Sequence, residues 1–185
     1  SRGKYSAKKV VLIAVLVAIA TAGRSVFFMF PGIKPMAAVV IVTGISLGAE
    51  AGFLTGSLTM LLSNMLFGQG PWTPWQMFAL GIIGFLSGII FRKRKNRPNV
   101  IVLAVYGFLA AVVIYGGIMN IAAMMMNSTY TDSGSANISW EALKLLYITG
   151  APYDAMHAGG AAVCAFLFGD GLLGKLTRAR IKYGL

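Results

Sequence analysis

Six apolar runs follow one another along the chain: about Lys9 to Gly23, Met36 to Gly48, Ala51 to Phe67, Trp75 to Phe91, Val100 to Met126 and Tyr153 to Leu176. Crossing a bilayer's hydrocarbon core takes roughly 20 helical residues at about 1.5 Å each. Measured against that length, the pattern predicts an all-α integral membrane bundle of six transmembrane helices, forming a single domain over residues 1–185. The second run is short for a full span. It pivots into the third on Gly48-Ala49-Glu50-Ala51-Gly52, which leaves room for little more than a turn. The first run precedes others of its own kind and therefore reads as a span rather than a cleaved leader.

The connecting segments are of two sorts. Arg24 to Pro35, Gly68 to Pro74 and Asn127 to Pro152 hold five of the six prolines, together with Gly32, Gly68 and Gly70. They read as structured turns, because proline fixes its own φ and glycine permits a positive one. Asn127 to Asn137 is a polar loop, and Trp140 to Ile148 suits a short helix near the membrane surface. The other segments are basic: Arg2, Lys4, Lys8 and Lys9; Arg92, Lys93, Arg94, Lys95 and Arg97; Lys175, Arg178, Arg180 and Lys182.

Composition agrees with the pattern. The chain is 57% hydrophobic and 11% charged, where a soluble domain carries about a quarter charged residues. The net charge of +11 gives no support for nucleic-acid binding, since the cations bracket apolar runs and no soluble recognition fold remains to present them. The positive-inside rule instead places both termini and the Arg92 cluster in the cytoplasm, facing anionic lipid. Six crossings satisfy that placement, and four or five are expected not to. No repeat relates the first three runs to the last three, which weakens a secondary-transporter reading. Cys164 stands alone in an apolar stretch, so its default role is that of a small buried hydrophobe.

Two patterns could carry function. Ala14, Ala18 and Ala22 lie on one face of the first helix, one turn apart. A small-residue stripe of that kind suits either internal packing or docking of a separate protein. Polar residues within or beside the runs, namely Arg24, Asn64, Gln76, Asn120, Asp154 and His157, all map to the half opposite the basic clusters. Polar groups in a bilayer are costly unless paired or facing a cavity, so a cluster at one depth marks a candidate site.

Aromatic residues gather at the same boundary, including Phe27, Phe30, Trp72, Trp75, Phe78, Trp140, Tyr147 and Tyr153. An interfacial belt accounts for part of this. The segment GQGPWTPWQ adds Gln69 to the tryptophans and suggests a shaped wall for an organic ligand. Asp154 and His157, three apart, share a helix face, where they could bind ligand, pair with Arg24 or relay protons. Their bland alternative is hydrogen bonding at a helix start. A lone histidine makes a poor metal site, and no phosphate loop, GxSxG or HExxH is present, so neither a metal, another cofactor nor an enzymatic activity is expected.

Taken in order, the alanine stripe, FFMFPGIKPMAAVV, GAEAGFLTGSLTMLLSN, GQGPWTPWQM and PYDAMHAGGAAV resemble the substrate-binding S-component of an energy-coupling factor (ECF) vitamin transporter. The resemblance covers nearly the whole chain. It implies a non-enzymatic, multi-pass subunit of a bacterial cell membrane. Its partners would be a transmembrane coupling subunit, docked on Ala14, Ala18 and Ala22, and two cytosolic ATPases. It also implies a vitamin site at the outer face, for which Arg24, Asn64, Gln69, Trp72, Trp75, Gln76, Asn120, Tyr153, Asp154 and His157 are the candidates. The GQGPWTPWQM segment looks most like the cobalamin-type members, with pantothenate, folate, riboflavin, thiamine and biotin as the other substrates of the family. A stand-alone carrier using Asp154 and His157 as a proton relay is the rival reading.

Overall fold

The structure is a computed structural model, and it describes residues 7–27, 29, 30, 32, 35–92, 97–130 and 140–184. The described residues form helices alone: α1 (Ala7–Val26), α2 (Met36–Leu47), α3 (Ala49–Phe67), α4 (Thr73–Arg92), α5 (Val100–Leu109), α6 (Gly117–Tyr130) and α7 (Trp140–Tyr183). A π-helical segment, Ala110–Gly116, joins α5 to α6 without a break. The basic residues Arg2, Lys4, Lys93, Arg94 and Lys95 lie outside the described residues, as do Phe28, Pro31 and residues 131–139 of the expected polar loop.

The six-span expectation is corrected by the lengths and compositions of these helices. Among the described residues, four segments are long and apolar enough to cross a membrane: Ala7–Val26, Thr73–Phe91, Val100–Met126 and Trp140–Tyr183. The helix α2 has only 12 residues. The 19-residue α3 is long enough but carries Glu50, Thr55, Ser57, Thr59, Ser63 and Asn64. Together they make a hairpin whose first arm is enclosed by protein, for α2 packs on α1, α3, α4 and α7 and buries every residue but Ala37 and Ile45, while α3 keeps Leu54, Leu58 and Leu62 on an open face. The parity argument is corrected as well. A hairpin leaves and regains the same side, so four crossings already bring the three basic segments together.

Other boundaries shift for physical reasons. The surface helix expected at Trp140 to Ile148 and the last span are one helix of 44 residues, with Pro152 inside it. At 1.5 Å per residue it measures about 66 Å, so part of it stands outside a hydrocarbon core of about 30 Å. The expected loop from Asn127 begins instead as the last turn of α6, which runs to Tyr130.

Close packing in the α2–α3–α4 layer comes from glycine. A Cβ on Gly52 would stand 2.7 Å from Gly44 Cα, and one on Gly84 would stand 2.6 Å from the Gly52 carbonyl carbon. Side chains there would force the helices apart. Three buried hydroxyls in this layer are absorbed by backbone carbonyls: Thr43 Oγ1 donates to Val39 O at 2.7 Å, Thr55 Oγ1 to Ala51 O at 2.8 Å and Ser87 Oγ to Ile41 O of α2 at 2.9 Å. Helix direction then sorts the molecule into two ends. Arg24, Asn64, Thr73 and Asn120 fall at one, and Lys9, Gly48, Arg97 and Arg180 at the other.

Candidate functional site

At the end away from the basic clusters, α3 stops on Gly68, whose φ of 116° only glycine adopts readily. Its N–H donates to Asn64 O at 2.8 Å. The chain then turns through Gly70 and re-enters helix at Thr73, whose N–H donates to Gly70 O at 3.0 Å. Pro74 suits that first turn because its missing N–H would have no partner there. This tight reversal brings the end of α3 against the start of α4, and the last turn of α1 supplies Arg24 to the same place.

The three termini share a hydrogen-bond network centred on Asn64, which is 2% exposed. Arg24 Nη1 donates to Ser63 Oγ at 2.7 Å and to Asn64 Oδ1 at 3.2 Å. Asn64 Nδ2 donates to Gln76 Oε1 at 2.7 Å and to Thr73 Oγ1 at 3.0 Å. Thr73 Oγ1 also accepts the Gly70 N–H at 3.3 Å. The Arg24 guanidinium lies 5.1 Å from the Phe67 ring centroid, a cation–π contact that fixes its remaining face.

A second group stands across from the first. Asn120 Nδ2 donates to Asp154 Oδ2 at 3.3 Å. Gly116 makes room for that carboxylate, since a Cβ there would lie 3.0 Å from Asp154 Oδ2. Between the groups sits Tyr115, whose phenol has Gln76, Arg24, Tyr153 and Asp154 in its surroundings. Tyr115 and Gly116 belong to the π-helical segment, the kind of local irregularity that re-aims side chains and recurs at functional sites. Next to Asp154, the Tyr153 and His157 rings meet at a tilt of 41° with centroids 4.2 Å apart, and His157 Nδ1 is 3.1 Å from Tyr153 O. Gly32, with φ 88°, lies against Met156 of α7.

The structure therefore brings together Arg24, Asn64 and Gln76, and separately Asn120 with Asp154 and Tyr153 with His157. Gln69 turns back toward Leu61 O at 3.4 Å and is exposed. Trp72 folds over Gly70 of its own turn and remains 41% exposed, while Trp75 is half-buried on α4. Ser63, Thr73 and Tyr115 are members of the network that the sequence did not single out. Ala14, Ala18 and Ala22 all face outward from α1, which separates them from the interior packing face of Ile13, Leu16, Val17 and Ala20. Among the described residues, no three His, Cys, Asp or Glu side chains are grouped to hold a metal.

Chemically, the arrangement offers a guanidinium and a carboxylate on either side of a phenol, with amides and rings around them. Such a set orients a ligand by hydrogen bonds and stacking, and it contains no nucleophile paired with a base.

Comparison with known sequences gives the site a context. Residues 8–168 match the family described as "ECF transporter, substrate-specific component". Similar curated proteins include a UPF0397 protein of Vibrio atlanticus, 32% identical over 98 residues that cover 50% of this chain and 53% of that protein. A UPF0397 protein of Aliivibrio salmonicida is 29% identical over 124 residues, covering 60% of this chain and 67% of the relative. The match thus spans only about half the length of the first of these relatives. No solved structure matches the chain.

Proposed function

The chain belongs to the family of ECF-transporter substrate-specific components, and on that premise we propose that it captures a small water-soluble molecule at the end carrying Arg24 and Asp154 and passes it inward. The partners in this reading are a transmembrane coupling subunit and two cytosolic ATPases. The chain itself binds and does not catalyse. One observation carries the proposal. Polar side chains from α1, α3, α4, the π segment, α6 and α7 converge at one end of a multi-pass membrane protein, around Asn64 and Tyr115.

The finer reading is a vitamin, with cobalamin first among the candidates. Support for it comes from the GQGPWTPWQ turn with its tryptophans, and from the amides of Asn64, Gln76 and Asn120, which suit a bulky ligand rimmed by amide groups. Gln69 belongs to the same turn but points away from the network. Ala14, Ala18 and Ala22 serve as the docking face for the coupling subunit, a role supported by their outward position on a helix whose other side is already packed.

Uptake of labelled cobalamin, and then of other vitamins, by cells expressing this chain with and without the coupling subunit and ATPases tests the proposal. Uptake that requires the ATPases is the expected result. Uptake that persists without them and collapses on addition of an uncoupler overturns it in favour of a proton-coupled carrier.

A further inference from the structure

At the opposite end of the molecule, a half-open cavity of about 990 Å³ lies among the start of α1, the α2–α3 turn, the second half of α4, the residues just before α5 and the end of α7. Three cations from distant parts of the sequence, Lys9, Arg97 and Arg180, line it against a single carboxylate, Glu50. Arg180 Nη1 donates to Ser46 O at 3.4 Å, which holds the end of α7 to the end of α2. Arg97 reaches over Gly174, where a Cβ would stand 3.4 Å from its Nη1.

Two further features belong to the same wall. Gly48, at φ 102°, turns the chain so that α3 begins without a side-chain cap, and the first residues of that helix, Ala49 and Glu50, line the cavity. The dipole at a helix start favours an anion. Ser46 also lines the cavity, is 4% exposed, and its hydroxyl has no hydrogen-bond partner among the described residues. A buried hydroxyl left in that state is unfavourable until something bonds to it. Opposite these polar groups the lining is apolar, with Phe85, Ile89, Phe91 and Leu173.

We propose that this cavity binds the phosphodiester headgroup of an anionic phospholipid. The cations, the Ser46 hydroxyl and the first amides of α3 meet the phosphate oxygens, and the apolar lining takes the start of the acyl chains. Basic pockets between membrane helices on the cytoplasmic side recognise lipid headgroups in this way. The apolar lining favours lipid over free phosphate, which has nothing to place against Phe85 and Leu173. The inference does not depend on what the other end of the molecule binds.

The test is native mass spectrometry of the full chain in neutral detergent, mixed with equal amounts of phosphatidylglycerol and phosphatidylcholine. One phosphatidylglycerol should be retained in preference to phosphatidylcholine. Each of Arg97→Gln and Arg180→Gln should lower that preference about five-fold, the equivalent of about 1 kcal/mol per cation. Ser46→Ala should lower it as well, whereas Lys175→Gln, which changes an exposed cation of α7 outside the cavity lining, should leave it unchanged. Equal retention of the two lipids overturns the proposal. So does a preference that Arg97→Gln does not alter, or one that Lys175→Gln reduces as much, since either means diffuse surface attraction. Displacement by millimolar inorganic phosphate assigns the cavity to a soluble anion instead. If the Arg180 variant fails to fold by circular dichroism, the exposed Arg97 decides the matter alone.

Discussion

Asn64 uses both ends of its amide, accepting from Arg24 and donating to Thr73 and Gln76. Asn64→Leu keeps the volume and removes all three bonds, leaving the Arg24 guanidinium with one fewer acceptor. Loss of about 1–3 kcal/mol of organisation predicts substrate affinity lower by roughly 5- to 150-fold, with helical content retained. Calorimetry on the variant, against whatever substrate the parent binds, checks it, and unchanged affinity would remove Asn64 from the site. The positions of Arg24, Asn64, Gln76, Asn120 and Asp154 at one end were legible in the sequence because charge and amide groups stand out in apolar runs. Ser63 and Thr73 were not, because a short hydroxyl in a membrane helix ordinarily satisfies itself on its own backbone, as Thr43 and Thr55 do, and Tyr115 was not, because it sits in an otherwise apolar run. Gln69 and Trp72 share the turn between α3 and α4, Gln69 directed to Leu61 O and Trp72 over Gly70.

At the scale of elements, apolar run length located the middle of each span, fell well short of the 44 residues of α7, and did not distinguish lipid-covered helices from protein-covered ones. The helix α2 is as apolar as any span, yet its 12 residues are enclosed by neighbouring helices. The signal that sets it apart lies in its glycine partners, Gly52 and Gly84, which matter only once helices are paired. Gly84→Leu should drive α4 off the α2–α3 hairpin, since overpacking of this kind costs about 1–3 kcal/mol or more. A thermal melt in detergent should show a midpoint several degrees lower, and an unchanged midpoint would contradict the close approach. On α1 the reverse holds. Ala18 faces outward, so Ala18→Trp should leave the melt and substrate binding unaltered while preventing co-purification with the coupling subunit. Normal co-purification would dismiss the docking face.

For the whole molecule, charge asymmetry is the most reliable guide in the sequence. Lys9, Arg97 and Arg180 come from three distant segments and line one cavity, while the Arg24 to Asp154 network occupies the far end. The crossing number was less accessible, because removing a hairpin from the count leaves every loop on its original side. In a Cys164→Ser background, a membrane-impermeant thiol reagent added to intact cells should label Gln69→Cys and not Lys175→Cys. Labelling of both, or the reverse, would contradict the orientation.

The central claim is that this chain alone binds a small water-soluble substrate, so the decisive measurement is calorimetric titration of the purified, partner-free protein with cobalamin and then the other vitamins. One-to-one binding of one of them is the predicted result. No binding to any member of the panel, by protein whose helical content is intact, would contradict it.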